Sequence, residues 1–340
     1  MPPNTSKWLA LLGAVSALGA IPASAQMLIN GAGATFPQQI YTKWFDEYRK
    51  IDPSVSFNYQ GIGSGGGQKQ ILNETVDFGA SDGPMSDDNL AKAPRALWHI
   101  PTVAGAVAVS YNLEGNPQLR LDGPTLAGIF LGKVTKWNDP AIASQNPDVK
   151  LPADEDIVVV HRSDGSGTSF IFTDYLSSVS PDWKEKVGKG VSANWPVGLG
   201  GKGNAGVAGQ VKQTPGAIGY VELVYAHENK LPFADMKNSS GAYITPTVAS
   251  VTAALAAAVI PDDFRFSMVN SPGAGAYPVC GATWLLVYAD QKDHAKGEKL
   301  VQFLKWAYSD GEKLAPGLDY APLPDAVLKR ALARVESIKY

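Results

Sequence analysis

Three times along this chain an apolar, strand-like run ends in a turn of glycines with serine or threonine and passes directly into helical periodicity. MLIN leads into GAGATFP at residues 31–37, VSFNYQ into GIGSGGG at 61–67, and IVVVHR into DGSGTS at 164–169. Further strand-like runs are VDFGAS, AGAVAVSYN and TWLLVYA. Strands that alternate with helices predict an α/β protein with a mostly parallel sheet. In such sheets ligands bind beyond the carboxyl ends of the strands, where all three turns would gather. Residues 37–50 read as the helix after the first turn: Phe36, Ile40, Trp44 and Tyr48 fall four apart on one face, and Pro37 suits a first helical position.

Residues 1–25 carry one lysine (Lys7), an apolar run from Trp8 to Ile21 and then Ala23-Ser24-Ala25. This is the pattern of a secretory signal peptide cleaved near Ala25; the run falls short of the ~20 residues that span a bilayer. No cysteine lies near the cleavage motif to take a lipid, so a soluble protein outside the cytoplasm is expected. Removing 25 of 340 residues leaves 315, too long for one ordinary core and suited to two lobes of about 150 residues. Two similar segments, IPTVAGAVAVSYN from Ile100 and YPVCGATWLLVYAD from Tyr277, are natural crossing points between lobes. Lobe 1 would combine residues 26–101 with 280–340, and lobe 2 would be 102–279. The apolar stretch at 248–260 is short enough to be a helix against a core.

Formal charge is −3, and −4 once the leader with Lys7 is gone, so no electrostatic footprint for nucleic acid exists. An anion would have to be held by local donors. The lone Cys280 excludes an intrachain disulfide and lies in an apolar run, as a buried inert thiol would. His99, His161, His227 and His294 are scattered without metal-ligand spacing.

Each glycine turn ends where a helix begins, and there the first N–H groups lack intrahelical partners and the macrodipole is positive. Glycine lets that backbone approach a ligand closely, while Thr35, Ser64, Ser166 and Thr168 add hydroxyls. Any one such residue alone reads equally as a helix cap. Arg162, two residues before Asp164, offers forked donors suited to an oxyanion, or a surface ion pair with that aspartate. Asp82 ends VDFGASD as a turn-former, a cap, or something more specific. A carboxylate accepts a hydrogen bond from phosphate, which keeps an O–H at neutral pH, and repels sulfate, which does not; Asp82 would then select between them.

At these residues the chain closely resembles the periplasmic phosphate-binding proteins of bacterial phosphate-uptake ABC transporters. The resemblance runs from GAGATFP to LDYAPLPD and includes YQGIGSGGG, VDFGASD, GKVTKWND, RSDGSGTSFIFTDYL, WPVGLGGKGN and PGAIGYVE. It implies a two-lobed, type II solute-binding fold with the ligand cleft between lobes. It also implies a non-enzymatic monomer that needs no cofactor, holds inorganic phosphate and delivers it to an inner-membrane permease and ATPase. By the same resemblance Thr35, Phe36 (through its N–H), Ser64, Asp82, Arg162, Ser166, Gly167 and Thr168 contact phosphate, with Asp164 supporting Arg162. One departure is Gly65, where relatives often carry a second serine; it removes no assigned ligand. No role is carried onto Lys202 in GGKGN, a glycine-flanked surface turn.

Other classes fit less of the chain. Gly61, Gly63 and Gly66 match G-x-G-x-x-G, and Asp82 lies sixteen residues beyond Gly66, but a dinucleotide site leaves two anion loops idle. A secreted phosphatase would need a nucleophile, yet Ser166 lacks G-x-S-x-G because Asp164 stands in the first position. GLGGKGN fails the P-loop pattern at Gly203. A receptor for sulfate or arsenate is the nearest alternative, and arsenate, also protonated, is poorly excluded by the Asp82 argument.

Overall fold

The computed structural model describes residues 26–340; the expected signal peptide at 1–25 lies outside the described residues. Strand β1 (Met27–Gly33) passes through the first glycine turn into α1 (Gln38–Ile51), and β2 (Val55–Gly61) through the second into α2 (Ser64–Leu72), followed by β3 (Phe78–Ser81). These strands lie side by side and parallel, in the order β2-β1-β3, as helical crossovers require. Helix α1 buries Ile40, Tyr41, Trp44, Phe45 and Tyr48. The face anticipated from the four-residue spacing is the one that packs, with the Phe45 ring stacked on Phe57 of β2 at 4.8 Å.

After α3 (Asp87–Leu90), β4 (Leu97–Tyr111) runs for 15 residues. A second set of elements follows: β5 (Arg120–Leu121), α4 (Gly123–Phe130), α5 (Pro140–Ala143), β6 (Val158–Arg162), α6 (Gly167–Val179), α7 (Pro181–Lys186), β7 (Leu199–Gly201), α8 (Gly203–Gln213), β8 (Ala217–Glu222) and α9 (Leu223–Asn229). Then come β9 (Asp235–Lys237), β10 (Tyr243–Ile244), α10 (Val248–Ala256), β11 (Cys280–Tyr288), α11 (His294–Trp306) and α12 (Asp325–Glu336). Strands β10-β9-β5 form a small separate sheet, and the other eight are ordered β2-β1-β3-β11-β4-β8-β6-β7. The short apolar stretch at 248–260 does form a helix, α10, which turns Val251, Ala254 and Leu255 inward.

Four of the seven pairings in the eight-stranded sheet are parallel, and the three at its centre are antiparallel. Its flanks are parallel, but β11 runs antiparallel to both β3 and β4, and β4 antiparallel to β8. The two central strands are long returns that link the flanks, and their direction is set by that route and not by a helical crossover. Strand β4 changes partners along its length: residues up to Ala106 pair with β11, and Val107 to Tyr111 pair with β8. One strand therefore belongs to both halves. Both central strands are buried on both faces, which explains their continuous apolar sequence. Cys280 lies there, fully buried, its thiol pushed well up by loss of solvent. Among the described residues no helix is long and apolar enough to cross a membrane.

Candidate functional site

The three glycine turns meet at the boundary between the two flanks. Gly65 donates its amide to the Gly165 carbonyl at 2.9 Å, so the second turn touches the third backbone to backbone. A β-carbon built on Gly167 would lie 2.4 Å from both Asp82 Oδ2 and Ser64 Oγ, and one on Gly63 would lie 2.3 Å from Asp164 Oδ2. Glycine is needed at 63 and 167 because carboxylates and hydroxyls of the opposite half occupy that space; Gly63 also has a φ of +85°.

From the first turn, Thr35 and Phe36 are buried. Three tyrosines hold this turn by its carbonyls: Tyr59 donates to Ala34 O (2.6 Å), Tyr225 to Thr35 O (2.7 Å) and Tyr320 to Phe36 O (2.6 Å). The phenols occupy the carbonyls of this turn, the Ala34 amide donates to Ala80 O at 3.0 Å, and the Phe36 N–H has no backbone acceptor among the described residues. From the second turn, Ser64 begins α2, and its Oγ accepts from Asp82 N at 3.1 Å.

Asp82, at the end of β3, is 2 % exposed. Thr283 donates to its Oδ1 at 2.8 Å, and Ser64 Oγ lies 3.4 Å from its Oδ2. Thr283 reaches it because the β4–β11 ladder is irregular between Ala282 and Trp284; such bulges re-aim a side chain. Burial pushes the Asp82 carboxyl up to about 7, against the lowering influence of Thr283, Arg162 and Ser64.

The third turn follows β6, which ends on Arg162, 3 % exposed. Its Nε and Nη2 form a fork on Asp164 at 2.8 and 2.6 Å, leaving Nη1 toward Thr168 Oγ at 3.3 Å. Burial alone would raise the Asp164 carboxyl; Arg162 and the Gly203 amide outweigh it and hold it below the ordinary value. Ser166 caps α6, its Oγ accepting from Ser169 N at 3.0 Å, which leaves its hydroxyl proton free to donate. Thr168 is fully buried. Thus Thr35, Phe36, Ser64 and Asp82 from one flank meet Arg162, Asp164, Ser166, Gly167 and Thr168 from the other.

Asn204 was not singled out in the sequence. It lies in GGKGN, where a glycine-flanked turn looked sufficient, and its side-chain nitrogen donates to Thr35 Oγ (3.0 Å) and to Thr168 Oγ (3.2 Å). The tyrosine clamps and Thr283 were missed as well. Their partners lie 25 to 284 residues away, and no local pattern marks them. Lys202, by contrast, lines the mouth of the cleft with Gln38, Gln39, Tyr225 and Glu228. Gln39 of α1 donates to both carboxylate oxygens of Glu228 on α9, at 2.9 and 2.8 Å, across that mouth. Among the described residues no cluster of His, Cys, Asp and Glu is placed to hold a metal.

A seat of convergent donors around one acceptor suits a small oxyanion that carries a proton. The chain is 45% identical over 306 residues to the phosphate-binding protein PstS of Xylella fastidiosa, covering 89% of this chain and 83% of that one. It is 44% identical over 310 residues to PstS of Pasteurella multocida, covering 90% and 89%. Among solved structures, a phosphate-binding protein from Stenotrophomonas maltophilia superposes with a TM-score of 0.70 at 22% identity, covering 91% of this chain and 94% of that one. A phosphate ABC transporter substrate-binding protein from Clostridium perfringens, solved with bound phosphate, gives 0.65 at 17% identity, covering 87% and 100%. Such neighbours share the two-lobed fold expected from the sequence. The profile of the PBP superfamily domain matches residues 20–311, and with relatives this similar along nearly its whole length, the chain belongs to that superfamily and, within it, to the family of PstS phosphate-binding proteins.

Proposed function

We propose that the protein is a receptor, without catalysis of its own, that captures inorganic phosphate in the periplasm as a monomer and hands it to an inner-membrane permease and ATPase. The observation that carries this reading is the meeting of Asp82 and Arg162, both nearly fully buried, among hydroxyls and helix N-termini of two flanks. In this reading Thr35, Ser64, Ser166 and Thr168 donate hydroxyl hydrogens. Phe36 and Gly167 donate amides, and Arg162, squared by Asp164, supplies the balancing charge. Asp82 accepts the one hydrogen that phosphate retains. Sulfate, with none to give, would leave a carboxylate facing an oxyanion in a dry site.

The lobes in this proposal are residues 26–101 with 280–340, and 102–279; the shared strand β4 and the approach to β11 join them. The Gly65–Gly165 and Gln39–Glu228 contacts are closed-state contacts between lobes. Hydrolysis is disfavoured because the Ser166 hydroxyl caps a helix and His161 stacks flat on Trp195, ring centres 4.9 Å apart. Calorimetry of the mature protein against phosphate, sulfate and arsenate is the test. Micromolar or tighter phosphate binding, near −8 kcal/mol, with arsenate competing and sulfate failing, is expected; no heat with phosphate would end the proposal.

A further inference from the structure

We infer that Asn204 sets the hydrogen-bond polarity of the cleft by making Thr35 and Thr168 obligate donors; the inference rests on the phosphate reading above. A threonine hydroxyl has one hydrogen to give and two lone pairs with which to accept, so left to itself it can face a guest either way. Here the choice is removed. Thr35 Oγ accepts from the Asn204 backbone N at 3.3 Å and from its Nδ2 at 3.0 Å. Thr168 Oγ accepts from the same Nδ2 at 3.2 Å and from Arg162 Nη1 at 3.3 Å. Amide and guanidinium nitrogens cannot accept in return, so all four contacts run one way. Each hydroxyl has both lone pairs taken, and its single hydrogen has no acceptor among the described residues.

The amide itself is locked. Its Oδ1 accepts from Glu222 N at 3.0 Å, which fixes which end is nitrogen and leaves both Nδ2 hydrogens for the two threonines. Asn204 is fully buried, as is Glu222. The two threonines stand on opposite flanks of the cleft, so one amide group orients a donor from each side. Asn204 need not touch the guest: it is a positioning residue that presets a cleft of donors before the anion arrives, sparing the reorientation that a neutral hydroxyl would otherwise make. A guest rich in acceptors gains from this, and a guest that must donate to Thr35 or Thr168 is refused.

The test titrates inorganic phosphate into the mature chain and its variants by calorimetry. Thermal unfolding without phosphate reports whether each variant folds. Asn204→Leu removes the orienting donors and should weaken binding about tenfold. Asn204→Asp keeps the shape but accepts; it draws both hydroxyl hydrogens away from the guest and adds a like charge, so its loss should be at least about 100-fold. In a Thr35→Val, Thr168→Val background, Asn204→Leu should cost less than about threefold more, because its targets are gone. Equal losses for Leu and Asp, or full additivity in the valine background, would overturn the inference and leave Asn204 a packing residue. Should Asn204→Leu fail to fold, the near-isosteric Asn204→Asp decides alone, wild-type affinity in it being fatal. Wild-type protein that fails to bind phosphate sinks the functional reading itself, and the inference with it.

Discussion

Asp82 is asked to be both buried and charged. Desolvation drives its carboxyl up to about 7, while Thr283, Arg162 and Ser64 pull the other way. Above that value the group is an acceptor and repels sulfate; below it, the protonated carboxyl can donate to a sulfate oxygen. Sulfate affinity, measured by calorimetry, is therefore expected to rise as pH falls from 8 to about 6, narrowing the preference for phosphate. In Asp82→Asn the preference should be small and flat over the same range. A selectivity that stays constant with pH in the wild type would remove Asp82 from that role. Arg162 is the complementary case. Arg162→Ala should weaken phosphate binding by at least about tenfold, the value of a charge-assisted hydrogen bond. Arg162→Lys, which keeps the charge and loses the fork on Asp164, should fall between; an unchanged dissociation constant for Arg162→Ala would rule out contact.

At the scale of elements, the strand–turn–helix unit was legible because its signals are local. Glycines allow the tight turn, a small hydroxyl residue starts the helix, and the apolar period changes from two to 3.6. Thr35, Ser64, Ser166 and Thr168 could be picked out on that basis alone. What was not legible is which way the turns face one another, since this depends on pairings between distant segments. The antiparallel centre follows from the route of β4 and β11, and the tyrosines on Ala34, Thr35 and Phe36 come from β2, α9 and the segment before α12. Gly167 shows the difference. Sequence marks it as a loop glycine, but the structure gives the reason: a methyl there would lie 2.4 Å from Asp82 Oδ2 and Ser64 Oγ. Its backbone does not require positive φ, so Gly167→Ala should fold with nearly unchanged Tm without phosphate and yet lose most phosphate affinity. A tight-binding Gly167→Ala would mean that the two turns do not close as described.

At the scale of the whole molecule, three carboxyls among the described residues are lifted by burial: Asp82 to about 7, Glu312 to about 8, and Glu222 well above the usual range. A raised acid holds its proton more tightly folded than unfolded. Its stabilising contribution is complete below the unfolded value near 4 and is lost as pH climbs through the folded one. Ligand-free protein should therefore lose stability between about pH 5 and 8. Glu312 lies away from the cleft, its Oε2 accepting from Leu323 N and its Oε1 without a partner. Glu312→Gln should flatten the alkaline part of a denaturant-midpoint profile without changing phosphate affinity; a profile that keeps its slope would assign that slope elsewhere.

The kink in the β4–β11 ladder ties these scales together. It aims Thr283 at Asp82, and it sits on the two strands that run through the centre of the sheet. Those strands also join the two flanks of the sheet, so in the proposed receptor the link between the lobes and the partner that orients the acceptor of the guest's hydrogen share one stretch of chain.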